Sequence, residues 1–164
     1  MLFRSVAEAV RLIDMTKHKG AHPRIGAVDV FPFIPVSGVT MEDCIALARE
    51  LAAWTAKELG VPVYLYGRAA QRADRVRLPD IRKGEYEALP EKLKDPAFIP
   101  DFGPAQFLPK TGVMVTGARD FLLAYNVNLN TRSKAIADTI AGIVRESGRS
   151  ITDKEGKRDR KSVV

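Results

Sequence analysis

The stretch that most restricts the fold runs from residue 40 to residue 67, TMEDCIALARELAAWTAKELGVPVYLYG. Thr40 stands three residues ahead of Asp43, an N-cap followed by an acid that can reach back, so a helix starts there. Cys44, Ala48, Leu51 and Thr55 recur at helical spacing and predict one inward face, and Gly60 supplies the stop after Leu59. Val61 to Tyr66 is then a compact apolar run closed by Gly60 and Gly67, hence a buried strand. A long helix followed at once by a buried strand calls for a layered arrangement of helix on sheet.

The flanks extend the same alternation. Residues 6 to 17 predict a helix with Val6, Ala9, Val10 and Ile13 on one face and Gly20 just past the end. Ala27 to Val36 predicts a strand that Pro32 and Pro35 confine to an edge or break. Residues 68 to 93 are charged and predict helix in pieces, broken at Pro79 and Pro90. Asp95 to Gly112 holds four prolines and two glycines, too many for a regular element, and ordered loops of that length usually serve a function. Gly112 to Thr116 and Phe121 to Leu129 predict two further strands, and Ser133 to Glu146 a helix. The expected fold is an α/β sandwich, a mixed β-sheet with helices packed on it.

A chain of 164 residues suits one domain with its own core. No apolar run approaches the roughly 18 residues that span a membrane. The single cysteine, Cys44, cannot form an internal disulfide, so a reducing cytoplasm is the expected location. The net charge is +6, but Arg149 to Lys161 contains six Lys/Arg against three Asp/Glu and so carries half of it. No aromatic side chain interleaves there to stack on bases, so residues 151–164 are expected to be a polar tail, with no nucleic-acid partner.

The extreme ends carry a separate signal. Leu2-Phe3-Arg4-Ser5 back-translates to CTCTTCCGATCT, and Asp159 to Val164 to GATCGGAAGAGCGTCGTG. These are the two orientations of one common sequencing adapter. Residues 1–5 and part of the tail are therefore expected to be non-native, and a capping box at Ser5-x-x-Glu8 to be accidental.

Both histidines, His18 and His22, lie in KHKGAHPRIGAVDVFPFIPV, among three prolines and two glycines. Four residues apart they would face together on a helix, but Gly20 and Pro23 break one, and no metal pair is expected. His22 is either a loop residue bonded to backbone or a general base, since imidazole titrates near neutrality. Cys44 is expected to be a buried small hydrophobe and Trp54 a core or interface residue. No P-loop is present, because Gly103 and Gly112 are too far apart and neither is followed directly by Lys-Ser/Thr.

RLIDMTKHKGAHPRIGAVDVFPFIPVSGVTMEDC, VPVYLYGRAA, LPDIRKGEYEAL and PDFGPAQFLPKTGVMVTGARDFLLAYNVNL together resemble the formiminotransferase family, the glutamate formimidoyltransferases of histidine degradation. The resemblance runs over residues 6 to 150. It implies two α/β subdomains with the substrates in a groove between them. Residues 6–120 would be part of the N-terminal subdomain and 121–150 the start of the C-terminal one. It also implies transfer of the formimino group from N-formimino-L-glutamate to tetrahydrofolate, the co-substrate, and a homodimer in the full-length parent.

By the same resemblance, His22 of His22-Pro23-Arg24 is the catalytic base. The folate-binding loop is Gly103-Pro104-Ala105-Gln106-Phe107-Leu108-Pro109-Lys110-Thr111-Gly112. Arg24 and Lys110 match the substrate carboxylates by charge, with solvation the competing role for Lys110. Family members carry an earlier strand and a Pro-Asn-Phe-Ser-Glu-Gly loop without counterpart here, so this chain is expected to be inactive by itself. The alternative is a non-catalytic folate- or partner-binding module.

Overall fold

A computed structural model describes residues 3–20, 22–123 and 127–144, together with the backbone of 149–152 and 158–161. Two compact units divide the chain, Met1–Leu122 and Leu123–Val164.

In the first unit, helix α1 (Arg4–Leu12) precedes strand β1 (Asp29–Phe33), helix α2 (Met41–Leu59) and strand β2 (Val63–Gly67). Two short helices follow, α3 (Leu78–Arg82) and α4 (Leu89–Lys92), and then strand β3 (Met114–Ala118). Single 3₁₀ turns stand at Ala73–Arg75, Tyr86–Ala88 and Pro96–Phe98.

The sheet order is β1-β3-β2, so the last strand in sequence occupies the centre. Both pairings are parallel, with Asp29 and Val63 each level with Met114. The expected mixed sheet is therefore parallel over its three described strands. Among the described residues of this unit, antiparallel contact is confined to isolated bridges at Gly26–Gly112 and Val63–Phe102. Every residue of β3 is buried, as a central parallel strand covered on both faces must be.

Alternation along the strands divides the core in two. Val63, Leu65 and Met114 join Cys44, Ala48, Leu51 and Ala52 of α2 and Val6 of α1. Tyr64, Tyr66, Val113 and Val115 face the other way, onto Ile81, Leu89 and Leu93. Helix α2 forms as its sequence predicts. Thr40 Oγ1 accepts from Asp43 N–H at 3.2 Å and Asp43 Oδ2 accepts from Thr40 N–H at 2.8 Å, and Gly60 closes the helix with φ 66°. Trp54 rests half-buried on Phe3, ring centres 5.1 Å apart.

Several boundaries differ from expectation. The first helix ends at Leu12 and not at residue 17. Asp14 turns the chain by accepting the Thr16 backbone N–H (3.1 Å) and hydroxyl (2.6 Å), bonds that compete with continuing the helix. Strand β1 is shorter than 27–36 and lies on an edge, where Pro32 is tolerated. Pro79 and Pro90 stand in the first turns of α3 and α4, where a missing N–H costs nothing, so they start helices and do not break them.

Residues 121–123 and 127–129 form no strand, and 124–126 lie outside the described residues. Among the described residues the apolar run there has no ladder partner to turn propensity into structure.

In the second unit, α5 (Lys134–Val144) sets Ala137, Ile140, Ala141 and Val144 with Val127 and Leu129 around an apolar hollow of about 490 Å³. Strands β4 (Arg149–Thr152) and β5 (Arg158–Lys161) pair antiparallel where a tail was expected, with β-branched Ile151 and Thr152 on the first strand. Among the described residues no helix is long and apolar enough to cross a membrane.

Candidate active site

The irregular segment between α1 and β1 carries both histidines. Asp14 opens it, its carboxyl held below the usual carboxylate range mainly by the Thr16 hydroxyl. Met15 is buried and its N–H donates to Lys110 O at 2.9 Å. His18 is exposed, on no helix.

His22 is also exposed, and its Nδ1 lies 2.8 Å from its neighbour's Pro23 O. A carbonyl oxygen only accepts, so Nδ1 carries a proton, and Nε2 is the ring nitrogen without a hydrogen-bond partner among the described residues. Bonding to backbone and readiness to act as a base are thus compatible in this residue.

His22 lines a groove of about 370 Å³ with Pro23, Pro79, Arg82, Lys83, Gly84 and Glu85. An adjoining hollow of about 510 Å³ shares Gly84 and Glu85 and adds Lys19, Gly20, Arg24 and Glu87. Both volumes fall within the roughly 300–1,000 Å³ of small-molecule sites.

Arg24, expected as a carboxylate partner for substrate, is engaged within the protein. Its Nη1 and Nη2 donate to Glu87 at 3.0 and 2.7 Å, and Nη1 also donates to Glu85 at 3.2 Å. Glu87 raises the Arg24 guanidinium above its ordinary range and is itself held low by that bond. A substrate carboxylate reaching Arg24 must compete with both acids.

Arg82, which lines the His22 groove, is held by Asp29. Its Oδ1 accepts Ile25 N–H at 3.0 Å, and its Oδ2 accepts from Arg82 Nη2. Among the described residues the non-glycine positions with positive φ are Asp29 (60°), bonded to the groove residue Arg82, and Glu85 (56°), on the groove itself. Such backbone is held only by its surroundings and gathers at functional sites.

The loop of Gly103 to Gly112 is bound to the same segment. Ala27 N–H donates to Thr111 O (2.8 Å), Val113 N–H to Ile25 O (3.1 Å) and Tyr86 OH to Pro109 O (2.6 Å). Lys110, expected to be solvated or to meet a carboxylate, donates from Nζ to Arg11 O at 3.1 Å. Phe107 packs beside Tyr86, ring centres 5.5 Å apart, and Leu108 on the α2 side of the core.

Between these anchors Gly103, Pro104, Ala105 and Gln106 are exposed. Among the described residues the N–H groups of Gly103, Ala105 and Gln106 meet no protein acceptor. Where Gly26 crosses Gly112, a Cβ on Gly26 would stand 1.9 Å from Val113 O, and one on Gly112 would stand 2.3 Å from Ile25 O. Only two glycines allow the backbones this close.

The sequence pattern points to His22 and the loop but carries no comparable sign for Asp29, Arg82, Glu85 and Tyr86. Three of these stand in IRKGEYEAL, where Gly84 before a charged residue was the available sign of a strained turn. Cys44 is buried in the core, and among the described residues no group of three or more His, Cys, Asp or Glu could hold a metal ion.

The family model for the formiminotransferase domain, N-terminal subdomain, matches residues 1–119. The chain belongs to the formiminotransferase family. Its similarity to a formimidoyltransferase-cyclodeaminase from Mus musculus is 59% identity over 141 residues, 86% of this chain and 26% of that one. A glutamate formimidoyltransferase from Thermoplasma acidophilum is 47% identical over 152 residues, 92% of this chain and 50% of its own length. One from Streptococcus pyogenes serotype M1 is 44% identical over 146 residues, 89% of this chain and 49% of its own. This formiminotransferase chain thus spans between a quarter and half the length of these relatives. The family is one of transferases, and the three-stranded parallel sheet with its helices is the α/β fold that its resemblance implies.

Proposed function

We propose that this chain supplies the base and the folate-reading loop for transfer of the formimino group from N-formimino-L-glutamate to tetrahydrofolate, giving 5-formiminotetrahydrofolate and L-glutamate in cytoplasmic histidine degradation. The observation that carries the reading is His22, on a groove and with no partner for Nε2 among the described residues, in a segment whose Met15 and Ala27 N–H groups donate to Lys110 O and Thr111 O of the Gly103–Gly112 loop.

His22 takes on Nε2 the proton that the attacking N5 amine loses as it bonds to the amidine carbon, and returns it to the glutamate nitrogen as the bond between that nitrogen and the amidine carbon breaks and L-glutamate leaves. The Nδ1–H bond to Pro23 O holds the ring in the tautomer this requires and stabilises the imidazolium that results. The unpaired N–H groups of Gly103, Ala105 and Gln106 suit the acceptor edge of a pterin, and Phe107 beside Tyr86 offers an aromatic wall. No covalent intermediate is needed, so the burial of Cys44 has no bearing on the step.

Tetrahydrofolate is expected to slow hydrogen exchange at the amides of residues 103–112 more than at those of α5. Equal slowing in both, or none, would remove the loop from the site.

The groove is open, with His22, Pro23, Lys83 and Gly84 all exposed. Positioning requires reacting atoms to be held about 3–3.5 Å apart, and one exposed wall does not supply that. The 164 residues alone are therefore expected to show no measurable formimino transfer, while the loop still takes up folate. Turnover by this chain alone would refute that expectation. Folate binding without transfer, both here and in a longer protein carrying the segment, would support the second reading, a binding module.

A further inference from the structure

Glu85 occupies a costly backbone position. Its φ of 56° and ψ of −161° lie beside a region populated almost only by glycine. Gly84 before it turns at φ 81°, where a Cβ would come within 2.6 Å of Ala88 Cβ. Glu85 N–H donates to Arg82 O at 2.7 Å, and Tyr86 N–H to Arg24 O at 2.9 Å, so both sides of the turn are clamped.

The clamp delivers a carboxylate to the seam of the two hollows, since Glu85 lines both. It is the acid that lines the His22 groove, and its side chain is 41% exposed. The Arg24 fork does not depend on it, because Glu87 already takes a hydrogen bond from each Nη. Glu85 gives Arg24 only Oε2, and among the described residues Oε1 meets no donor. Lys83, exposed on the same groove without an ion-pair partner among the described residues, provides the opposite sign for the far end of a ligand.

We infer that Glu85 is a specificity-determining residue that recognises a cationic amidinium beside His22. The inference rests on the transfer reading above, in which the group to be moved is a formimino group. An N-substituted formamidine is a strong base, protonated near neutrality, and presents planar N–H donors to a carboxylate as a guanidinium does. Glu85 would hold that head while a ligand carboxylate turns toward Lys83.

The test is an NMR titration of the 164-residue chain with N-formimino-L-glutamate and with N-formyl-L-glutamate, which puts a neutral amide where the amidinium was. The parent chain is expected to bind the formimino compound about tenfold or more tightly than the formyl compound. Glu85→Gln should lose about tenfold for the first ligand and leave the second unchanged.

Glu85→Gly removes the same carboxylate while relieving the backbone, so it should lose the discrimination with a Tm no lower than the parent's. Equal affinities in the parent, or discrimination that survives in either variant, overturn the inference and leave the transfer reading standing. A parent chain that binds neither compound removes both.

Discussion

Replacing His22 with alanine in an active formiminotransferase that carries this segment is expected to lower turnover about 10²–10⁴-fold while folate affinity stays unchanged. The expectation follows from the tautomer. Nδ1 is committed as a donor to Pro23 O, so one nitrogen of the ring is available and its only task would be to accept a proton. Glutamine can place an amide where Nε2 stood, but an amide is not a base at neutral pH, so His22→Gln should recover binding contacts without recovering rate. Equal losses in rate and folate affinity would make His22 a ligand-positioning residue. A near-silent alanine variant would leave it an exposed loop residue.

Asp101→Ala should be the most destabilising single change in the first unit outside its apolar core, at about 3–5 kcal/mol. Arg75 and Asp101 form a buried pair, their side chains 3% and 5% exposed and 2.8 Å apart. Asp101 also accepts Leu65 N–H at 2.8 Å, and Arg75 donates to Ile99 O at 2.6 Å and lies 5.0 Å above the Tyr64 ring. Removing the carboxylate leaves a guanidinium in the interior with no counter-charge and a strand N–H with no acceptor. Urea unfolding measures the loss, and the double change Arg75→Met with Asp101→Ala should recover part of it because the orphaned charge is gone. A single-variant loss below about 1 kcal/mol would mean that water reaches the pair and screens it.

How far the sequence discloses this structure depends on how local each determinant is. Helix α2 and strand β2 are legible because the capping box of Thr40 and Asp43, the inward face and the bounding glycines all lie within one short window. His22 is legible as a polar group placed where no regular element can form. The loop of residues 103–112 is legible as irregular, and its partners are not.

Tyr86 meets Pro109 and Phe107, Arg24 meets Glu87, and Arg75 meets Asp101, at separations that no periodicity spans. Strand order is hidden for the same reason. The apolar run after β3 shows the limit most plainly, since Phe121, Leu122 and Leu123 have strand composition but no partner strand among the described residues.

The order β1-β3-β2 also sets a timetable for folding. The strand that joins the other two is the last of the three to be made, and β1 meets it with Asp29 beside Met114. Until residues 114–118 arrive, β1 and β2 have no shared ladder, and α2 can bury its inner face only against loose ends. Closing so long a loop carries an entropic cost before any sheet contact offsets it, which makes the sheet a late and all-or-none event. On the ribosome β1 and β2 would lack the strand that joins them until the segment just past Gly112 had cleared the exit tunnel, and a holding chaperone would meet the edges that β3 later covers.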